Sequence, residues 1–471
     1  MLPERFKERM KTLLGDEAER LFDEIENGKA IRSFRLNPIK ISDEEKALAN
    51  AQIDYRKAEF PPECYYTDEQ FPGSLACHHS GAIYMQDPSA MATIHAVGGK
   101  SGIKILDSCS APGGKTTQLA AIAGDDGIVV ANEYDTKRCR ILQGNIERLG
   151  CRNVVVTNLD TKVLAETYPC VFDLVLCDAP CSGEGMFRKN ELAISEWSEE
   201  KVLACAEMQR EILENVSKCV ANGGNLIYST CTFSLEENEM NVDWFLKTHP
   251  DFELCEVDEG LKNATSDGIC AENYCADMRL TRRIYPHKFK GEGQFVALFK
   301  RKCNPDSTMI VEKKSKKGEP KSAKISREEA DSLREAKAFL DENLVRMLDK
   351  KLLYLNGKVY LAPQINLPEY SVFISGACVG ELEKGRFVPH HQLFSAYGDM
   401  FARRLKLSSC DERSNGYLKG LEIDADGLDI AENFKPMGYV AVFVNGSAVG
   451  GGKVSNGKCK NHYPKGLRNI R

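Results

Sequence analysis

The sequence predicts an α/β protein whose centre is an open parallel sheet covered by helices on both faces, preceded by an α+β module and followed by a small β-domain. Three observations lead there. From about residue 101, short runs rich in β-branched residues alternate with helical stretches, the pattern of parallel strands joined by crossover helices. A glycine-rich stretch at 106–117 falls where the first strand should turn into the first helix. Near the end of the chain, Asn445-Gly446 and Asn456-Gly457 separate apolar runs, as tight β-hairpins require.

The first 95 residues open with helix-like stretches. They then reach Ile31-Arg32-Ser33-Phe34-Arg35-Leu36-Asn37-Pro38, where alternation followed by Asn-Pro reads as a strand entering a turn. Asp87 or Ser89 is placed to cap a helix over 90–97, with Pro88 in its first turn. The central strands are expected at 103–106, 128–131, 154–156, 172–177 and 225–229, with helices at 137–150 and 198–220. Ser234-Leu235-Glu236-Glu237 has the spacing of a capping box that would start a helix running to Phe245. A further strand is expected at 294–299, and the sheet domain is expected to end near Arg301.

Residues 313–324 hold six lysines, Gly318 and Pro320 and almost nothing apolar. Such a segment cannot bury a core and reads as a solvated linker, with passing contact to phosphates as the other reading. Beyond it, 327–350 has helical periodicity, and Asn356-Gly357 folds 353–363 into a hairpin. At 471 residues the chain exceeds what one core supports. The expected division is 1–95, 96–302, a lysine-rich linker at 303–326, an intermediate domain at 327–410, and the β-domain at 411–471.

Composition narrows the class. With 42% hydrophobic and 28% charged residues the chain is globular, and its start, Met1-Leu2-Pro3-Glu4-Arg5-Phe6-Lys7, has no long apolar core. Neither a signal peptide nor a membrane span is expected, so the cytoplasm is the expected location. Eighteen cysteines are scattered without paired metal-ligand spacing, so most read as reduced, buried small hydrophobes and no metal site is expected. The net charge of −6 opposes a uniformly basic surface, yet 435–471 carries seven Lys or Arg residues and no acid. Local sign decides contact with a polyanion.

Two cysteines stand apart. Cys181, in Asp178-Ala179-Pro180-Cys181-Ser182-Gly183, and Cys231, in Tyr228-Ser229-Thr230-Cys231-Thr232, each follow an apolar strand-like run. Parallel strands deliver the groups at their carboxyl ends into one crevice. A thiol there can attack an electrophilic carbon, and a second thiol beside it is hard to explain by packing. The pair points to covalent chemistry on a substrate ring.

Leu106-Asp107-Ser108-Cys109-Ser110-Ala111-Pro112-Gly113-Gly114-Lys115-Thr116-Thr117 occupies the place where open α/β sheets bind nucleotide-like ligands. It is neither a P-loop, which needs Gly where Cys109 stands, nor a G-x-G-x-x-G dinucleotide loop. Glu133, after the second strand, can accept hydrogen bonds from ribose hydroxyls or cap a helix. Asp160, after the third, can reach an adenine amino group or serve a turn.

These motifs, in this order and approximate spacing, resemble the Nol-Nop-Sun family of RNA cytosine-5 methyltransferases. Gly183-Glu184-Gly185-Met186-Phe187-Arg188-Lys189 and Lys460-Asn461-His462-Tyr463-Pro464-Lys465-Gly466-Leu467-Arg468 resemble its RsmF branch. The resemblance implies a Rossmann-like S-adenosylmethionine-dependent methyltransferase with a PUA-like C-terminal domain. It implies that Cys109, Ser110, Ala111, Pro112, Gly113, Gly114 and Lys115 line the methionine and ribose part of the cofactor. Glu133 would hold the ribose, Asp160 would lie near the adenine, and Arg138 matches a basic position that some relatives use there. Asp178 would sit between cofactor and base, Cys231 would be the nucleophile, and Cys181 would assist product release.

The implied chemistry suits these residue types. Cytosine C5 is a poor nucleophile until a thiolate adds to C6, and the ring then needs electrostatic support, for which Asp178 and Lys115 are the candidates. A paired base cannot present C6, so the target cytidine must be unpaired or flipped. Candidate RNA contacts are Arg32, Arg35, Asn37, Arg188 and Lys189, with Lys460, Lys465 and Arg468 in the terminal segment. Gln86 and Ser89 are expected to position structure. The expected substrate is RNA, foremost 16S ribosomal RNA and by extension the small subunit, and the expected state is a monomer. The alternatives are a tRNA cytidine methyltransferase, a non-catalytic assembly factor, which would need neither thiol, and a DNA cytosine-5 methyltransferase, which takes its nucleophile from the Pro-Cys position.

Overall fold

The computed structural model describes residues 1–51, 53–70, 72–303, 325–346, 348–366 and 371–468. The linker expected at 313–324 lies outside them. A ten-stranded sheet forms the centre, and its five core strands are parallel in the order Val220–Thr230, Phe172–Asp178, Lys104–Asp107, Ile128–Asn132, Val154–Thr157. All five expected central strands are present within a few residues. Alternation along them sends side chains to opposite faces. Ile105, Val129, Val154, Leu176 and Ile227 enter one apolar cluster, while Leu106, Val130, Val155, Val175 and Tyr228 enter the other. Two buried faces explain why these strands are almost continuously apolar.

Three of the helices that cover the sheet begin where side chains cap them. Asp135, Asp160 and Ser198 accept from the amides of Arg138, Lys162 and Lys201 at the starts of Thr136–Arg148, Thr161–Thr167 and Glu199–Val216. Asp87 caps Pro88–Ala92 through the Ser89 amide, with Pro88 at the first helical position. The capping box expected at 234–237 is not formed. The helix runs Glu239–Thr248, the Ser234 hydroxyl donates to Glu184, and Glu237 accepts from the Ser182 amide. Tertiary partners claimed both side chains before local capping could use them.

Antiparallel strands extend the sheet on both sides. Gln294–Arg301 pairs with Val220–Thr230. On the far edge Val372–Ser375 pairs with Val154–Thr157, so a strand from the expected intermediate domain completes the central sheet. The helix expected at 327–350 stops at Asn343, where Leu344 turns extended. The C-terminal sheet has six strands and includes Arg403–Leu407, parallel to Gly438–Val444, so it begins before the expected boundary at 411. Its hairpins turn at Asn445-Gly446 and Asn456-Gly457, and the hairpin before it at Asn356-Gly357, all with positive φ at both residues. That conformation matches strand twist and favours Asn-Gly.

The N-terminal residues divide their allegiance. Ser33–Leu36, Arg56–Lys57, Cys64–Tyr66 and Ile83–Met85 form a four-stranded antiparallel sheet. The helices Glu4–Leu14 and Glu17–Asn27 pack instead against Phe187, Trp197 and Phe233, behind the cysteine loops. Lys40 ties the module to the later domains by donating to the Ser395 carbonyl and hydroxyl and to the Ala448 carbonyl. No helix among the described residues is long and apolar enough to cross a membrane.

Candidate active site

The strand order reverses between Lys104–Asp107 and Phe172–Asp178, and a crevice opens beyond their carboxyl ends. The loop after Asp107 is pinned from within. Thr116 Oγ1 donates to Asp107 Oδ2 at 2.6 Å and Ser110 Oγ to the Asp107 carbonyl at 2.7 Å. Gly113 enters the helix Gly114–Ala123 at φ 109°, a backbone state that favours glycine. A cavity of about 220 Å³ lies against this loop, lined by Asp107, Cys109, Ser110, Ala111, Pro112, Gly114, Lys115 and Asp178, and closed opposite by 84–87. A cavity of about 700 Å³ elsewhere, beside Lys104 and Val171, has no thiol or carboxylate among the described residues that line it.

Asp107 Oδ1 is buried without a partner among the described residues. Burial pushes the carboxyl up to about 7, against the opposing hydrogen bond from Thr116. A buried unpartnered oxygen calls for a donor, so the cavity suits a ligand carrying an amino group. Sequence reasoning missed this residue, although the strand-end logic applied to Glu133 and Asp160 also covers it.

Glu133 accepts from the Ala111 amide at 3.2 Å and from the Asp135 amide at 3.0 Å. Arg138 donates to the Ala111 carbonyl at 2.8 Å and pairs with Glu133 at 3.6 Å, so both hold the loop in shape. Tyr134 beside them is 74% exposed. Asp160 is exposed and caps a helix.

The far wall carries the charges. Lys115 Nζ lies 2.8 Å from Asp178 Oδ2, and Ser229 Oγ donates to Asp178 Oδ1 at 2.6 Å. Burial works to lower the Lys115 ammonium, but attraction to Asp178 outweighs it and the net direction is upward. Asp178 and Ser229 are register partners on adjacent strands, which carries Cys181 and Cys231 to the same rim. Their sulfurs are 3.1 Å apart, and the Cys231 amide donates to Cys181 Sγ at 3.3 Å. The hydrogen bond with Cys231 and burial together hold the Cys181 thiol well above its ordinary range. Burial likewise pushes Cys109 up to about 12.

Glu184 organises the cysteine loops. It accepts from the Thr232 hydroxyl, the Phe233 amide, the Ser234 hydroxyl and the Trp197 indole, all at 2.7 to 2.9 Å. Gly185 lies so close to the Cys231 carbonyl that an added Cβ would stand 2.9 Å from it. Neither Glu184 nor Glu237 was legible as a loop anchor, because both partner residues remote in sequence.

Three expected RNA contacts are corrected. Arg35 is 1% exposed and donates to Gln86, to the Gly114 carbonyl and to Thr117. Asn37 is fully buried and donates to the Gly81 and Leu149 carbonyls. Arg188, its side chain 2% exposed, pairs with Glu292 at 3.0 Å and with Glu24. Each engages protein because a buried donor needs an acceptor. Lys189 is partly exposed and pairs with Asp87 at 2.8 Å. Arg32, Lys460 and Lys465 are exposed, and Arg468 folds back toward the Tyr463 carbonyl. As expected, Gln86 and Ser89 position structure: Gln86 accepts from Arg35 and Ser89 donates to the Glu292 carbonyl.

Comparison with known proteins places the chain. The family described as 16S rRNA methyltransferase RsmB/F matches residues 96–300, the N-terminal domain of 16S rRNA methyltransferase RsmF matches 2–88, and the methyltransferase RsmF PUA domain matches 404–469. Ribosomal RNA small subunit methyltransferase F of Vibrio vulnificus is 31% identical over 493 residues, covering 99% of this chain and 97% of the relative. The protein of that name from Serratia proteamaculans is 37% identical over 274 residues, 56% of each chain. Among solved structures, a methyltransferase homologue from Pyrococcus horikoshii superimposes with TM-score 0.55 at 28% identity, covering 64% of this chain and 95% of its own. With paired thiols beside a loop-lined cavity and relatives aligned along its whole length, the chain belongs to the RsmB/F family of methyltransferases, on the branch of ribosomal RNA small subunit methyltransferase F.

Proposed function

We propose that the protein methylates C5 of cytidine in 16S ribosomal RNA, using S-adenosylmethionine and a transient bond between Cys231 and C6 of the base. The observation that carries this reading is the 3.1 Å approach of Cys181 and Cys231 at the rim that also holds Lys115 and Asp178. The relatives' names supply the substrate class.

The cavity residues fit the cofactor. Asp107 is the free acceptor for its amino group, Cys109 to Lys115 give the wall, Glu133 offers remaining lone pairs to a ribose, and the exposed Tyr134 ring offers a flat surface for a base. S-adenosylmethionine supplies an electrophilic methyl group on a sulfonium. Cys231 gives an electron pair to C6, and the C5–C6 pair becomes available at C5. Asp178 faces the N3 edge of the ring and Lys115 offsets developing negative charge. After methylation, the C5 proton leaves to solvent, its electron pair re-forms the C5–C6 double bond, and the C6–S pair returns to Cys231. The Cys181 thiol, 3.1 Å from that sulfur, donates its S–H to it and stabilises it as it departs.

The protein acts on RNA through exposed cations, among them Arg32, Lys460 and Lys465, as a monomer in the cytoplasm. The test is direct: incubate the purified chain with unmodified 16S ribosomal RNA and methyl-labelled S-adenosylmethionine, then digest to nucleosides. Label in 5-methylcytidine is expected; label in any other nucleoside, or none, overturns the assignment.

A further inference from the structure

Cys181 and Cys231 are identical groups 3.1 Å apart, yet the proposed reaction needs one to offer an electron pair and the other to keep its proton. Their surroundings differ in sign. Behind Cys181 lies Glu237, buried, with Oε2 accepting from the Ser182 amide at 2.9 Å and from Gln209 Nε2 at 2.8 Å, and Oε1 without a partner among the described residues. Gln209 Nε2 also donates to the Pro180 carbonyl at 2.9 Å. Tyr228 donates to Gln209 Oε1 at 2.9 Å and to the Glu237 carbonyl at 2.6 Å. The carboxyl is therefore tied to the residues on either side of Cys181 and to the strand that leads to Cys231. The Lys115 ammonium, held at the same rim by Asp178 at 2.8 Å, is near enough to attract negative charge on Cys231.

We propose that Glu237 is a positioning residue that polarises the thiol pair: its carboxylate behind Cys181 holds the shared proton on that sulfur, while Lys115 favours negative charge on Cys231. The inference rests on the two-thiol chemistry above. The Cys231 proton leaves to solvent, the Cys181 S–H bond stays intact, and the electron pair on Cys231 is free to add to C6. A charge in a low-dielectric setting acts strongly over such distances.

The titratable groups facing Glu237 are Cys181 on its loop, Glu184 in the segment that follows, Cys205 on the helix Glu199–Val216, and Tyr228 on the adjoining strand. Burial pushes the Glu237 carboxyl up to about 7. Its charge, and with it the polarisation, therefore grows as pH rises through neutrality. The Cys231 amide on Cys181 Sγ pulls the other way without reversing the net upward direction at Cys181.

The experiment is limited alkylation of the full chain with iodoacetamide, without RNA, and mass spectrometry of the two cysteine peptides. The wild-type protein is expected to label Cys231 over Cys181, with a ratio that rises between pH 6 and 8. Glu237→Gln keeps the acceptor for Ser182 and Gln209 but removes the charge, and should lower that ratio about tenfold, one pKa unit of difference, and flatten its pH course. A ratio within about twofold of wild type, unchanged in pH course, overturns the proposal. Should Glu237→Gln fail to fold, a flat wild-type ratio across the same pH range overturns it and a rising one supports it. Because the readout needs neither RNA nor turnover, failure here is distinguishable from failure of the covalent mechanism.

Discussion

Ser182 Oγ and Thr232 Oγ1 share a hydrogen bond of 2.8 Å, each one residue beyond its cysteine. Fifty residues separate the two sites in the chain, and this contact, with Glu184 beneath it, locks the two loops together. Proximity of reacting groups is worth most when the scaffold sets it in advance.

Replacing Cys231 by Ala should lower methyl transfer by a factor on the order of 10³ or more if the proposed nucleophile is lost with it. Affinity for S-adenosylmethionine, read by titration calorimetry, should change by less than about twofold, because Cys231 does not line the cofactor cavity. Sustained turnover in this variant would remove the nucleophile assignment.

Cys181→Ala should trap the enzyme on its substrate. An RNA-protein adduct that survives denaturing electrophoresis is expected, formed at near wild-type rate and resolved slowly. No adduct together with normal turnover would show that release needs no second thiol.

Asp107 offers a pH test. Unfolded, its carboxyl ionises near the ordinary value of roughly 3.9; folded, at about 7. The folded state thus binds more protons between these values, so this group's contribution to stability is complete below the lower one and is lost as pH rises through 7. Asp107→Asn should therefore stabilise the ligand-free protein at pH 8 by on the order of 2–4 kcal/mol, and by only about 1–1.5 kcal/mol at pH 5. Denaturant titrations at both pH values check this. The same variant should bind S-adenosylmethionine more weakly, and wild-type affinity should rise between pH 6 and 8.

Arg188 and the terminal lysines separate packing from recognition. Arg188→Ala removes the buried guanidinium from Glu292, leaving it the ion pair with Lys189 at 3.2 Å, and should cost about 2–4 kcal/mol of folding stability. RNA affinity per folded molecule should not change. Lys460→Gln with Lys465→Gln should leave stability near wild type while reducing the salt slope of RNA binding by about 2. Filter binding across salt concentrations, beside thermal unfolding, reads both.

The central strands were legible because burial on both faces forces nearly unbroken β-branched runs, and the hairpins because Asn-Gly suits positive φ at both turn residues. The motifs Ala111-Pro112-Gly113-Gly114-Lys115, Pro180-Cys181 and Thr230-Cys231 pointed to one candidate crevice for a related reason: strand ends are short, local and ordered along the chain.

What the sequence determined by itself was thus the set of elements, the crevice and the two thiols. Only the tertiary structure decided which polar residues were free to act. Arg35 and Arg188 look like Arg32 in the sequence, yet burial commits the first two to protein acceptors while Arg32 stays in solvent. Ser234 and Glu237 have capping-box spacing, yet Glu184 and Ser182 reach them first. Local pattern records what a side chain can do; long-range packing selects its partner, because a buried polar group takes whichever complement the fold brings within reach.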